Sequence, residues 1–459
     1  MLLFYILISA MPLVRDPLWE HFMSDLTAVK YLGVACLAYA AWHCTVARRA
    51  PTVLGSMPAR AMVCLCLWAA VSWLTLGAPI AWDKSPLLSY VSFLILLVIT
   101  VSVVDSWPRL EHVLWAVILA VGIASLYIVR EWQKYRHVYA HFRPGWVTGD
   151  PNYFTASALV GLPLALAFCG RHTAGWKRLT AAGCFLLTLV AVALAASRGG
   201  LLGLLAMAGW FAWKKRRLTL FVLAATLMLP PLVLWSRSPL NRLLHPSVSD
   251  IKSSNTRLAL WQAGLKMIEQ HPLTGIGLGQ FKAEVAQYAA GRKDLDHIAH
   301  NTYLALASEM GLPGLLVYAL MVGGAALTLA RLRRAAAAVR PPAPHARPPQ
   351  VFLDDEAGES EPPASAHAPP TGALPPWLAD AALGMQGAIL GFSVSAIFLS
   401  AQYTKLFWLL LAITVATETM RPRAAMAAAT AMDGDAPHFQ PPAAPAGLRA
   451  DYWEPARDV

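Results

Sequence analysis

Residues 236–300 read SRSPLNRLLHPSVSDIKSSNTRLALWQAGLKMIEQHPLTGIGLGQFKAEVAQYAAGRKDLDHIAH, the one long polar stretch in a chain that otherwise reads as membrane. It runs into His300-Asn301-Thr302-Tyr303 as the next apolar segment begins, which puts a histidine at a membrane surface. On both sides of it the chain is apolar. The whole is 57% hydrophobic and 14% charged, with a mean hydropathy of +0.49. That balance excludes an ordinary soluble domain and a disordered chain alike. The expected fold is all-α, a polytopic membrane protein with about twelve transmembrane helices and one large outer helical loop.

A spanning helix needs roughly 20 predominantly apolar residues. Such runs fall near 1–14, 29–47, 59–78, 86–104, 112–130, 153–170, 177–196, 199–213, 218–235, 302–330, 381–400 and 404–420. The first is short and lacks the basic start and small-residue cleavage site of a signal peptide, so it is read as a span. Positive charge in short loops favours the cytoplasm. With the N-terminus inside, the basic clusters all fall inside: Arg48, Arg49 and Arg60; Arg171, Lys177 and Arg178; Lys214 to Arg217; Arg331, Arg333 and Arg334; Arg421 and Arg423. The net charge of +11 therefore reports topology, and nucleic acid is not an expected partner. The resulting division is helices in 1–235, an outer loop at 236–300, a tenth helix in 301–331, an inner linker at 332–376, two more helices in 377–420 and an inner tail at 421–459. Proline, alanine and acidic residues fill the linker without a periodicity that could bury a face, so it and the tail are expected to be disordered. No repeat of fixed period and no pair of inverted broken helices stands out.

The outer loop has structure of its own. Leu258, Trp261, Leu265 and Ile268 recur at helical spacing after Ser254 and Asn255, either of which suits an N-cap. The expectation is an amphipathic helix on the bilayer surface that stops at His271-Pro272. A glycine turn, Gly275-Ile276-Gly277-Leu278-Gly279-Gln280-Phe281, then leads into a short second helix over 281–290. Eight Lys and Arg against five Asp and Glu make the loop basic, which favours an anionic ligand. The six cysteines, Cys36, Cys44, Cys64, Cys66, Cys169 and Cys184, lie in or beside spans, so neither a disulfide framework nor a zinc cluster is expected.

Several residues carry chemistry. Arg198, in Ala196-Ser197-Arg198-Gly199-Gly200, occupies a turn between two apolar runs; a guanidinium at membrane depth is either functional or held on lipid phosphates at the interface. Its planar fork suits a pyrophosphate better than a lysine does. Arg257 on spacing alone reads as part of a solvated face. His300 can accept a proton at neutral pH, and a capping or packing histidine is the plainer alternative. Asp294, His297 and His300 recur every third residue, too few ligands for a metal site. In Gly149-Asp150-Pro151-Asn152 the aspartate can cap the following helix, with proline at its first position.

Taken together, Ser197-Arg198-Gly199-Gly200, Arg257 with Trp261, the run from His271-Pro272 to Gly279-Gln280-Phe281, and His300-Asn301-Thr302-Tyr303 with Gly311 and Gly314 resemble the O-antigen ligase and O-antigen polymerase superfamily of bacterial inner-membrane glycosyltransferases. The resemblance implies a multi-pass protein of the bacterial cell inner membrane whose large loop and active site face the periplasm. It implies an undecaprenyl pyrophosphate-linked glycan donor, an acceptor that is a glycan or lipid A core, contact with membrane lipids, and no cofactor, nucleotide sugar or metal. Arg198 and Arg257 would bind and neutralise the leaving pyrophosphate, and His300 would deprotonate the acceptor hydroxyl for inverting attack on the anomeric carbon. Asn301, Tyr303 and Asn152 join the two arginines as substrate-binding residues. The Pro-rich linker departs from the compact family pattern. Ligase, polymerase and protein O-oligosaccharyltransferase remain sibling readings, with the single late loop favouring ligase. A transporter of lipid-linked glycan is the reading from another class, and it would call for charged or broken helices near the midplane.

Overall fold

The computed structural model describes residues 1–12, 28–46, 53–76, 86–138, 142–145, 149–170, 173–214, 248–289, 292, 295–338 and 374–434. Among these there is no strand. The α-helices are α1 Leu2–Ala10, α2 Ala28–Val46, α3 Met57–Leu76, α4 Pro86–Val103, α5 Trp107–Tyr135, α6 Pro151–Phe168, α7 Gly175–Ala195, α8 Arg198–Trp213, α9 Val248–Gln270, α10 Phe281–Tyr288, α11 Thr302–Ala338, α12 Leu378–Ser395 and α13 Lys405–Gly434. No disulfide joins the six cysteines.

Helices that are apolar all round belong at the centre of a bundle. Thus α6 buries Phe154, Leu159, Leu162 and Phe168 on every side, and α12 buries Leu383, Met385, Ile389 and Phe392. Around them α12 packs on α6, α8 and α11, while α13 packs on α4. Phe392 stacks on Phe407 with ring centres 3.9 Å apart, and Phe93 stacks on Trp408 at 4.3 Å. Where α8 crosses α12, a Cβ on Gly203 would come within 2.5 Å of the Gly391 carbonyl; only a bare backbone permits that approach.

Outward-facing rows remain apolar: Leu67, Val71 and Leu74 on α3, Leu119, Ile123 and Leu126 on α5, Leu316, Leu320 and Leu327 on α11. Surface of that kind is a liability in water and ordinary in lipid. Seven helices among the described residues are long and apolar enough to cross a membrane, and the architecture fits a multi-pass membrane protein. The expected count of about twelve spans is larger. The segment 218–235 lies outside the described residues. Helix α1 has nine residues, which at 1.5 Å rise per residue reaches roughly half of a hydrocarbon core. At the other end α13 continues to Gly434, past the boundary drawn at 420, because the alanines from Ala424 onward favour helix.

The tenth expected span is not one straight rod. Gly311, at φ 70° and ψ 178°, breaks α11 into an arm ending at Met310 and a long shaft. A broken helix leaves carbonyls without intrahelical donors. Here the glycine turn supplies them: Ile276 N–H donates to Ser308 O at 2.9 Å and Gly277 N–H to Glu309 O at 3.0 Å. Trp68 of α3 donates its indole N–H to Met310 O at 2.8 Å. Ser72 donates to Glu309 O at 3.3 Å and accepts from Leu278 N–H at 3.1 Å. In return Leu312 N–H reaches back to Pro272 O at 2.8 Å.

Over the arm fold α9 and α10, closing a second core of Leu260, Ala263, Met267, Phe281, Val285, Leu295, Ala299, Leu304 and Ala305. This corrects half of the expected stripe of α9, since Trp261 and Ile268 do pack against this core. Leu258 and Leu265 are exposed, whereas Leu260, Ala263, Gly264 and Met267 face inward. At the point of closest approach a Cβ at Gly264 would meet Leu304 at 2.8 Å, so the glycine lets Leu260 and Met267 on either side of it reach the core. Ser254 and Asn255 do not cap α9 either, since the helix begins at Val248. The second helix runs from Phe281 to Tyr288, within the expected range.

The backbone at Gly311 lies in a region that is essentially glycine-only, and a Cβ there would run into Leu273 O. Gly311→Ala is expected to lower stability by about 1–3 kcal/mol from backbone strain alone, read as a fall in melting temperature of the detergent-solubilised protein.

Candidate active site

A cleft of about 50 Å³ opens where α6, α8, α9 and the end of α12 meet. It is lined by Arg143, Asn152, Ser197, Arg198, Gly199, Ser253, Arg257, Ser395, Phe398 and Leu399. Among the described residues three guanidinium groups line it.

Each wall has a local cause. Ala196, at φ 49° and ψ 42°, ends α7 in the left-handed conformation, so the chain reverses within a residue. Ser197 then caps α8, its Oγ accepting Gly200 N–H at 3.1 Å and donating to Asn152 Oδ1 at 2.7 Å. This fixes Arg198 in the first turn of α8. The glycines after it let the backbone approach its neighbours, since a Cβ at Gly199 would stand 3.0 Å from Phe398. Asp150 caps α6 as expected, accepting Asn152 N–H at 2.7 Å. It also accepts the Asn152 amide at 2.8 Å, so that Asn152 Oδ1 faces Ser197.

Arg198 Nη2 donates to Ser254 Oγ at 3.4 Å, joining the α7–α8 turn to α9. Ser253 and Arg257, four residues apart, share one face of α9. The two expected arginines are therefore gathered on one cleft by elements remote in sequence. Arg143 was not singled out in the sequence. Its Nε donates to Ala195 O at 3.0 Å and its Nη2 to Asn152 Oδ1 at 3.4 Å. Nothing in its spacing separates it from Lys134 in the last turn of α5 or from Arg136 just beyond it. Ser253, Ser395, Phe398 and Leu399 were also missed, being residues whose meaning comes only from packing.

His300 stands beside the cleft and is not one of the side chains lining it. Trp261 donates its indole N–H to Ala299 O at 3.0 Å, pinning the residue before the histidine to α9. His300 itself has φ 49°, a conformation that non-glycine residues rarely adopt. Its Nδ1 is buried with no hydrogen-bond partner among the described residues. Burial, aided by the positive charge of Arg257 and by His297, pushes the imidazole below its ordinary 6.5; Asp150 opposes them. The group is thus held neutral at pH 7.

Asn301 and Tyr303 take other places. Asn301 Oδ1 caps α11, accepting Tyr303 N–H at 3.0 Å and Leu304 N–H at 3.1 Å. The Tyr303 hydroxyl donates to Ser393 O at 2.8 Å, locking α11 to α12. Neither lines the cleft. Thr302 between them ties in the last wall, donating to Leu399 O at 2.6 Å and accepting Ala401 N–H at 2.8 Å. Of the metal-like triple, Asp294 lies outside the described residues, and no three His, Cys, Asp or Glu side chains converge among the described ones.

A family model described as O-Antigen ligase matches residues 183–319. The match spans less than a third of the chain and contains Ser197, Arg198, Arg257, the glycine turn and His300; Arg143 and Asn152 lie before it. Over that segment the chain is similar to the O-antigen ligase family. No curated protein matches the sequence.

The state of His300 can be read without any substrate. Its carbethoxylation by diethyl pyrocarbonate, followed by mass spectrometry, is expected to rise with pH through a midpoint below 6.5. In Arg257→Gln the midpoint moves upward, because the cation that disfavours protonation is gone.

Proposed function

We propose that the cleft binds the pyrophosphate of an undecaprenyl-linked glycan and that the protein transfers the glycan to an acceptor hydroxyl on the periplasmic side of the bacterial inner membrane. The observation that carries this reading is the convergence of Arg198 and Arg257 on one cleft beside a neutral histidine. Arginine forks match phosphate oxygens in pairs, and fixed cations in a site partly closed to water stabilise a departing pyrophosphate. No cofactor is invoked.

His300 acts as general base. A base must be unprotonated to act, and burial with the Arg257 charge keeps the imidazole so at neutral pH. It takes the proton of the acceptor hydroxyl as that oxygen attacks the anomeric carbon from the face opposite the pyrophosphate, inverting the centre. Trp261 is a positioning residue, since its bond to Ala299 O sets where the imidazole stands. Asn152 holds the Ser197 cap and so the Arg198 turn. The acceptor we favour is lipid A core, supported by the description of the matching family and by the single large polar segment late in the chain.

His300→Ala is expected to abolish transfer while the purified protein still binds the lipid-linked donor. Retained transfer would remove the histidine from the chemistry. Transfer by the wild-type protein should fall as pH drops through a midpoint below 6.5 and persist in the presence of chelator. Trp261→Phe keeps the aromatic ring and removes its N–H. It should slow transfer about tenfold by misplacing the base at a stability cost of about 1 kcal/mol. Deletion in the native host, followed by comparison of lipopolysaccharide, secreted polysaccharide and glycoprotein, tests the acceptor: capped lipopolysaccharide lost alone supports lipid A core.

A further inference from the structure

The donor and the product of such a transfer differ in charge. A glycan joined to a polyprenol through pyrophosphate carries two ionised oxygens. When the bond from the anomeric carbon to the pyrophosphate oxygen breaks, its electron pair stays on that oxygen. The acceptor oxygen forms the new bond to carbon, and the acceptor proton passes to His300. The released polyprenyl pyrophosphate then carries a third ionised oxygen. Arg198 and Arg257 match the charge of the donor but not the charge that appears during the reaction.

The cleft contains a third guanidinium. Resting on the reading of the cleft given above, we propose that Arg143 is a catalytic residue that contacts the leaving pyrophosphate and neutralises the negative charge developing on it. Three observations support this role. Arg143 lines the same cleft as Arg198 and Arg257. Its Nε donates at 3.0 Å to Ala195 O, the backbone at the end of α7, immediately before the turn that carries Arg198. That anchor fixes the guanidinium in advance, which is what stabilisation of a developing charge requires. Its Nη2 sits 3.4 Å from Asn152 Oδ1, a long contact to a neutral amide oxygen that a phosphate oxygen outcompetes.

The role differs from that of a donor anchor in what it changes. A group that binds donor and transition state equally alters KM, whereas one that meets charge only as the bond breaks alters kcat. Arg143→Gln in the full-length detergent-solubilised protein is therefore expected to lower kcat about 100-fold with donor KM within about threefold of wild type. Binding of undecaprenyl pyrophosphate, the charged product, should weaken about tenfold or more while binding of the glycan-linked donor holds. Equal weakening of donor and product would make Arg143 an ordinary donor anchor and overturn the proposal, as would an unchanged kcat. If Arg143→Gln does not fold, Arg143→Lys decides: lower kcat at constant KM supports the role, and higher KM at constant kcat overturns it. Failure of the wild-type protein to bind either pyrophosphate lipid would instead overturn the functional reading on which the role of Arg143 rests.

Discussion

The site depends on a hydrogen-bond exchange between a broken helix and a loop. Gly311 interrupts α11 and leaves the carbonyls of Ser308, Glu309 and Met310 to be met from outside the helix. Ile276 and Gly277 of the glycine turn, with Ser72 and Trp68 of α3, meet them. Buried carbonyls left unmet would each cost about 1–3 kcal/mol, so break and turn stabilise one another and neither is tenable alone. Through this joint the polar segment is fastened to the bundle at a fixed angle. The second core then holds α9 against the arm, and α9 brings Arg257 to Arg198.

Electrostatics follow from that placement. Arg143, Arg198 and Arg257 reach the cleft from three different elements. Such a concentration of positive charge is unfavourable unless solvated or met by an anion. The same field acts on His300, where the charge of Arg257 reinforces burial in keeping the ring neutral. On the proposed reading, the arrangement that would hold the pyrophosphate also keeps the imidazole unprotonated beside it.

Much of this was legible in the sequence. The apolar runs at 59–78, 86–104, 153–170 and 177–196 are helices because length and composition leave a chain in lipid no other way to satisfy its backbone. The Asp150 cap, the stop of α9 at Gln270 and the glycine turn were read from local residue chemistry alone. Failures came where the outcome depended on a partner. The inward face of α9 was read in part: Trp261 and Ile268 pack on the second core, whereas Leu260, Ala263, Gly264 and Met267 lie on the side of the helix away from the exposed Leu258 and Leu265. The break in α11 was missed because Gly311-Leu312-Pro313 within an apolar run is also compatible with an unbroken span. Arg198 and Arg257 carried enough local context to be noticed, whereas Arg143 became visible only when Ala195 O and Asn152 were found beside it. Asn301 and Tyr303 belong to a motif whose neighbours carry chemistry, yet the backbone and Ser393 occupy them.

The last wall of the cleft comes from Ser395, Phe398 and Leu399, held in place by Thr302 and, through Ser400 O, by the Tyr153 hydroxyl at 2.9 Å. These residues are made after all three arginines, after His300 and after the whole of 339–373. During synthesis the three arginines and His300 are therefore made before the wall that bounds the cleft, and a chain cut short before α12 would carry all four side chains without Ser395, Phe398 and Leu399 beside them.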